Sequence, residues 1–170
     1  MARDPDTQSW LLEQFTTRLT SAFEGMTMER LAIVCHASAD PPSGGLLWRQ
    51  PFAGVPGIMW LATLETDVTA IGSHILSLAG LTEADIDSET AKSTYVEIVG
   101  QVAAGLAQAI SGKLGHEVTP RGGAEALEIP GSIQWSSAEV PLSGGSAIMR
   151  VGYDDALLAA LVPPPLPAPS

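Results

Sequence analysis

The chain has 170 residues, of which 45% are hydrophobic and 16% charged, a composition that predicts one folded domain rather than a disordered chain. It contains 8 Lys and Arg residues against 19 Asp and Glu residues, giving a formal net charge of −11. Because nucleic acids and anionic membrane surfaces bind through clustered cations, this balance argues against both as partners. With Cys35 as its single cysteine, the chain cannot form an intrachain disulfide.

The first half of the chain predicts a helix followed by strands. Apolar residues recur at helical spacing over 10–23, with Thr7 or Ser9 as the candidate N-cap and Gly25 as the stop. Short runs rich in β-branched and aromatic residues, bounded by Gly and Pro, then indicate strands. These strands are expected at 30–36, 46–51 and 58–64.

Two helices are predicted next, without an intervening strand. The first starts at Thr66 or Asp67 and ends at Gly80, and the second, the longest, spans 88–114 and ends at Gly115. Helices that occur as a block between strands, rather than in strict alternation, are typical of the α+β class. We therefore expect helices packed on one mixed or antiparallel sheet.

The C-terminal part predicts a hairpin, a short helix and a tail. Strands at 132–142 and 146–153 flank a Ser-Gly-Gly turn, and Asp154 opens the last helix. Five prolines fall within 162–170, which predicts an extended, flexible Pro-rich tail. The folded domain is accordingly assigned to residues 1–161.

The N-terminus is polar and contains no apolar run of the kind found in a signal peptide. Apolar stretches elsewhere are interrupted well before the roughly 18 residues that a membrane helix needs. We therefore expect a cytoplasmic protein that does not associate with membranes.

The long helix has an apolar stripe and an opposite polar face. Placed at about 100° per residue, the stripe consists of Tyr95, Ile98, Val99, Val102, Leu106, Ala109 and Ile110. The opposite face consists of Ser93, Glu97, Gln101, Ala104 and Gln108. Glu97 and Gln101 are neighbours at a spacing of four, and the small residues Gly100 and Ala104 leave the backbone approachable. The alternatives are an ordinary solvated helix face and a close helix–helix contact through the small residues.

This helix resembles a known signature. The segment 97–105, EIVGQVAAG, is similar to the signature helix of the CheC/CheX family of chemotaxis phosphatases. The family helix has an Asp or Ser, a Glu four residues later, an Asn three residues after that, then two apolar residues and Ala-Gly. The run 101–105 matches the last part of that pattern. The elements predicted at 58–80 and 137–160 resemble those around the family helix, so the resemblance covers roughly 8–161.

The chain departs from the family pattern at two positions. Gln101 stands where the family has Asn, and Glu97 precedes it by four residues rather than three, where Ile98 lies instead. Ser93 precedes Glu97 by four residues, so the Ser-to-Glu spacing is kept. A proline follows the family helix at a set distance, and Pro120 comes a few residues too early to be assigned to it.

The resemblance implies binding to the phosphorylated receiver domain of a CheY-like response regulator, with hydrolysis of its aspartyl phosphate. Gln101 would orient the attacking water, and Glu97 would form an ion pair with a lysine of the regulator. Ser93, Gly100 and Ala104 would contribute the surrounding binding surface. The resemblance further implies a homodimer with no cofactor of its own, because Mg²⁺ would be held by the receiver. Two alternatives remain open, a non-catalytic CheX-like binding or scaffold module and a structural dimer related to flagellar switch proteins.

No other constellation of residues predicts a site. His36, His74 and His116 lack metal-ligand spacing, so no metal site is expected. Cys35 is expected to be a small buried hydrophobe, and no Gly-rich phosphate-binding loop is present in the sequence. The acidic residues of 83–89 lack the glycine and terminal Glu of a calcium loop and suit the start of the following helix.

Overall fold

A computed structural model describes residues 5–36, 44–129 and 133–162. The helices of these segments are α1 (Pro5–Thr27), α2 (Glu65–Leu78), α3 (Ser88–Leu114) and α4 (Asp155–Leu161), with a single 3-10 turn at Glu83–Asp85. Their strands are β1 (Val34–His36), β2 (Leu46–Ala53), β3 (Ile58–Thr63), β4 (Thr119–Pro120), β5 (Ala124–Glu125), β6 (Gln134–Leu142) and β7 (Gly145–Tyr153). Residues 163–170, where the Pro-rich tail is predicted, lie outside the described residues.

The strands form one antiparallel sheet. Their order is β1-β6-β7-β3-β2-β4, and β5 pairs with β2 as well. In the register of the central strands, Leu61 of β3 lies opposite Val151 of β7, and Met149 of β7 lies opposite Ala138 of β6. Helices packed on an antiparallel sheet confirm the predicted α+β class.

The core lies between the helices and one face of this sheet. Alternate strand residues such as Met59, Leu61 and Met149 are fully buried on that face. Against them pack apolar side chains of α1, including Phe15 and Phe23, and the inner stripe of α3. Six of the seven predicted stripe residues are fully buried, namely Tyr95, Ile98, Val99, Val102, Leu106 and Ile110. Ala109 is half-buried at the edge of the stripe.

The predicted starts of the first two helices are wrong. α1 starts at Pro5, before both candidate caps, and Thr7 is buried inside the helix. α2 starts at Glu65 after the N-cap Leu64, whose side chain makes no capping hydrogen bond. The polar residues predicted as caps therefore lie within the first turns of these helices. The start of each helix is determined instead by the packing of its apolar face.

The predicted bounds of α3 are confirmed because its two caps are strong. The Asp87 carboxylate accepts a hydrogen bond of 2.7 Å from the Thr90 backbone N–H. At the other end Gly115 adopts the left-handed conformation, with φ of 76°, and its N–H bonds the Ser111 carbonyl. The helix is therefore a single element of 27 residues, about 40 Å long.

The two tyrosines of the chain, Tyr95 and Tyr153, are buried, and burial raises the pKa of both phenols above the ordinary value. In the unfolded chain both ionise near pH 10, while in the folded protein they stay neutral. Unfolding therefore releases protons above pH 10. The contribution of the two buried tyrosines to the free energy of unfolding is fully present below pH 10 and is lost as the pH rises above it. We expect tyrosinate absorbance near 295 nm to appear only together with the loss of the helical circular dichroism signal. A tyrosinate signal that precedes unfolding would contradict this.

Candidate functional site

The residues singled out on α3 form one exposed surface on the side away from the sheet. Ser93, Glu97, Gly100, Gln101 and Ala104 are all exposed, as is Gln108 further along the helix. The first five of these residues are called the α3 ridge below. Because Glu97 and Gln101 are both exposed, the alternative of a close helix–helix contact does not hold for them within the part of the chain that the structure describes.

The polar groups of the ridge have no partners among the residues that the structure describes. Among the described residues, neither the Glu97 carboxylate nor the Gln101 amide takes part in a hydrogen bond or an ion pair. A Cβ added at Gly100 would meet no atom within 4 Å. The ridge therefore offers one carboxylate and one carboxamide to a molecule outside the chain, beside an unobstructed stretch of backbone.

The helix that presents these groups is anchored to the sheet close to the site. The Tyr95 hydroxyl, two residues before Glu97, forms a buried hydrogen bond of 2.7 Å with the Thr63 hydroxyl of β3. Near the C-terminus, the Ser111 hydroxyl accepts from the Val118 N–H at 2.8 Å. Since the side chains of Ile98 and Val102 are also fully buried, the orientation of the ridge is determined by the core.

The spacing of Glu97 and Gln101 has a geometric consequence. On an ideal helix, the residue three positions before Gln101 lies about 60° to one side of it, and the residue four positions before lies about 40° to the other side. The first of these residues is Ile98, which is fully buried. Three positions after Glu97 lies the exposed Gly100, which has no side chain and so carries no carboxamide. The carboxamide nearest to this position is that of Gln101, the next residue along the helix.

A second polar feature lies at the start of α3, where the sequence pattern predicted no site. A cleft of about 500 Å³ is lined by residues from α2, α3 and β2 and from the β5 region, including Glu65, Glu89, Lys92 and Glu125. Lys92 and Glu125 form an ion pair of 2.5 Å across it, and this partner raises the pKa of the Lys92 ammonium. Both side chains are about half exposed, so the pair links α3 to β5 with little effect on stability.

The histidines and the cysteine are dispersed over the structure. His74 lies 3.3 Å from the Glu29 carboxylate, and His116 bonds the Gly54 carbonyl at 2.7 Å. Cys35 is half-buried and within 2.6 Å of the Thr16 hydroxyl, and burial raises the pKa of its thiol. No group of three or more His, Cys, Asp or Glu side chains in the described segments could hold a metal ion.

None of the helices in the described segments is both long enough and apolar enough to cross a membrane.

Comparison with known proteins gives matches at the level of structure. No protein-family model matches the sequence, and no curated protein matches it. FliY from Thermotoga maritima superposes with a TM-score of 0.73 at 13% identity, over 95% of this chain and 96% of FliY. The FliM middle domain from H. pylori gives a TM-score of 0.67 at 13% identity, over 92% of this chain and 95% of that domain.

Chemotaxis proteins match as well. A chain from the crystal structure of the CheX–CheY–BeF3–Mg²⁺ complex of Borrelia burgdorferi gives a TM-score of 0.58 at 16% identity, covering 83% of this chain and 94% of its own length. Other CheX and CheC-like crystal structures also match. The chain therefore has the CheC/CheX-like fold, which confirms the fold that the resemblance implied.

Proposed function

We propose that the α3 ridge binds the phosphorylated receiver domain of a CheY-like response regulator and promotes hydrolysis of its aspartyl phosphate. The observation that carries this proposal is the exposed pair Glu97 and Gln101, which has no partner within the described segments and lies on a helix that the core holds in place. The fold supports it, because a chain of the same fold was crystallised in a complex of CheX with CheY.

The reaction needs positioning rather than a nucleophile from this chain. Water attacks phosphorus, the bond from phosphorus to the aspartyl oxygen breaks, and the products are inorganic phosphate and the free carboxylate of the receiver. The Gln101 carboxamide accepts a hydrogen bond from the water through its oxygen and donates one to a phosphoryl oxygen through its nitrogen. Holding the water in line with the scissile bond is the main contribution that a protein makes to this chemistry.

Glu97 contributes recognition in this proposal. Its carboxylate is exposed one helical turn before Gln101 and forms an ion pair with a lysine beside the receiver's phosphorylation site. An ion pair at the rim of an interface acts mainly on the association rate and on the choice of partner. Mg²⁺ belongs to the receiver in this scheme, so the chain itself needs no cofactor.

The experiment is phosphate release from receiver domains phosphorylated with acetyl phosphate, measured with and without the purified chain. The proposal expects acceleration that is proportional to the concentration of the chain. If a folded sample accelerates release from none of the receivers of its organism, the catalytic part of the proposal is refuted.

A non-catalytic binding role is the second candidate. The observation in its favour is the buried Ile98 together with the missing side chain at Gly100, which leaves no amide three residues after Glu97. This role expects capture of a receiver loaded with beryllium fluoride, a mimic of the phosphoryl group, with no change in the hydrolysis rate.

A structural role like that of the flagellar switch proteins is a further form of this candidate, favoured by the overlap with FliY and the FliM middle domain. It expects motor components as partners, with binding that does not depend on phosphorylation. Homodimerisation remains a prediction for each of these roles. Light scattering at the working concentration tests it, and a monomer would count against it.

Gly100 and Gly112 give a matched test of the ridge as a docking surface. Both lie exposed in α3, and a Cβ at either would meet no atom within 4 Å. Gly100→Ala and Gly112→Ala should each stabilise the fold by about 0.5–1 kcal/mol in urea unfolding, because alanine is the better helix former. Only Gly100→Ala should weaken receiver binding, since it adds a methyl group within the ridge. Equal binding by the two variants would place the docking surface elsewhere.

A further inference from the structure

Arg18 of α1 lies across α3 at the edge of the ridge. A Cβ added at Gly105 would lie 2.7 Å from Cδ and 3.1 Å from Cγ of Arg18. A side chain at position 105 would therefore force the arginine stem to shift from its present place along the helix. On the helical wheel, Gly105 lies about 40° from Gln101 and about 60° from Gln108. The stem thus crosses α3 beside the polar residues of the ridge.

The charge of this arginine is not neutralised within the described part of the chain. Arg18 takes part in no ion pair there, and its buried Nε atom has no hydrogen-bond partner. The two lysines of α3 differ in this respect. Lys92 pairs with Glu125, and Lys113 lies 4.7 Å from the centre of the Trp10 ring. Among the described residues, Arg18 is therefore a cation beside the middle of α3 that has no anionic partner.

We propose that Arg18 recognises the phosphoryl group of the partner at the α3 ridge, an inference that rests on the proposed function. A guanidinium group binds phosphoryl oxygens through two parallel, charge-assisted hydrogen bonds. The ridge otherwise presents the negative charge of Glu97, in a chain of net charge −11, which repels an anion. Arg18 supplies the opposite charge beside Gln101, so the phosphorylated form of the receiver is preferred over the unphosphorylated form.

The test measures the dissociation constants of the chain for one receiver with Mg²⁺, with and without beryllium fluoride. Arg18→Met keeps the stem over Gly105 and removes the charge. It should weaken binding of the loaded receiver about tenfold or more, the effect of losing a hydrogen bond to a charged group, and should leave binding of the unloaded receiver unchanged. Lys113→Met, which removes a cation already engaged by Trp10, should leave both constants unchanged.

Arg18→Lys is the second variant, because it keeps the charge and loses the planar fork. It should retain part of the preference for the loaded receiver, and this comparison decides the matter if Arg18→Met does not fold. If Arg18→Met prefers the loaded receiver as strongly as the wild type does, the role of Arg18 is overturned and the proposed function is left intact. If only Arg18→Lys folds, the same result with that variant has the same meaning. A wild-type chain that binds neither form of the receiver overturns both.

Discussion

Replacing Gln101 by alanine is expected to lower the rate of receiver dephosphorylation by about 100-fold, because the attacking water loses the group that orients it. The fold should be unaffected. The Gln101 side chain is exposed and bonds no described residue, and surface substitutions of this kind usually change stability by less than about 0.5 kcal/mol. Phosphate release and urea unfolding of the same samples measure the two effects.

Gln108→Ala is the matched control for this substitution. It removes the same side chain from the same exposed side of α3, beyond the ridge and seven residues further along the helix, about 10 Å away. We expect wild-type activity from Gln108→Ala. If both variants lose activity equally, or if neither does, the amide of Gln101 has no special role.

A carboxamide introduced at position 100 tests the spacing between the acid and the amide by gain of activity rather than by loss. Gly100→Asn places a carboxamide three residues after Glu97, in the open space beside the ridge. In the Gln101→Ala background it should restore a measurable part of the lost kcat, measured at saturating receiver, because the amide–acid spacing then follows the family pattern. The added side chain should at the same time raise KM, as expected for Gly100→Ala. A double variant as inactive as Gln101→Ala would show that an exposed amide at this spacing is insufficient.

Gly72→Ala is expected to destabilise the fold by about 3 kcal/mol, near the upper end of the usual range for overpacking. A Cβ at Gly72 would overlap the carbonyl oxygen of Ala91 and lie 2.6 Å from its carbonyl carbon. These are backbone atoms, so no side-chain rotation relieves the overlap and α2 must move away from α3. Better helix propensity offsets only about 1 kcal/mol of the cost.

The measurement for Gly72→Ala is the midpoint of urea unfolding, at an unchanged dependence on urea concentration. Gly112→Ala serves as the control, because it makes the same chemical change at a position that no neighbour approaches. A variant as stable as the wild type would mean that α2 and α3 can separate without loss of packing. Since α2 borders the first turns of α3, the test also reports how firmly the ridge is held.

The elements that the sequence predicts best are those with strong local signals. α3 has an Asp cap, a terminal glycine and a long apolar stripe, and its bounds were predicted correctly. α2 begins after Leu64, whose side chain makes no capping hydrogen bond. Its start therefore depends on tertiary packing, which no local pattern records. Thr7 failed as a cap for the same reason, since its side chain is buried.

Some features of the candidate site could likewise be predicted from local sequence patterns, and others could not. The exposure of Glu97 and Gln101 follows from helical periodicity and could be predicted. The approach of Arg18 could not, because it depends on how α1 crosses α3 and on the absence of a side chain at Gly105. The cleft bridged by Lys92 and Glu125 likewise unites residues far apart in sequence. Contacts between distant segments, unlike faces of one helix, leave no periodic signal in a single sequence.

The caps at both ends of α3 also bear on the speed of association. A binding segment that folds only on contact loses about 1–2 kcal/mol per residue in backbone entropy, whereas the ridge backbone is already ordered when a partner arrives. Encounter is then limited by the approach of the two proteins rather than by folding. For a chain of net charge −11, an acidic partner approaches slowly at low ionic strength and faster as salt screens the repulsion. Oppositely charged pairs show the reverse dependence.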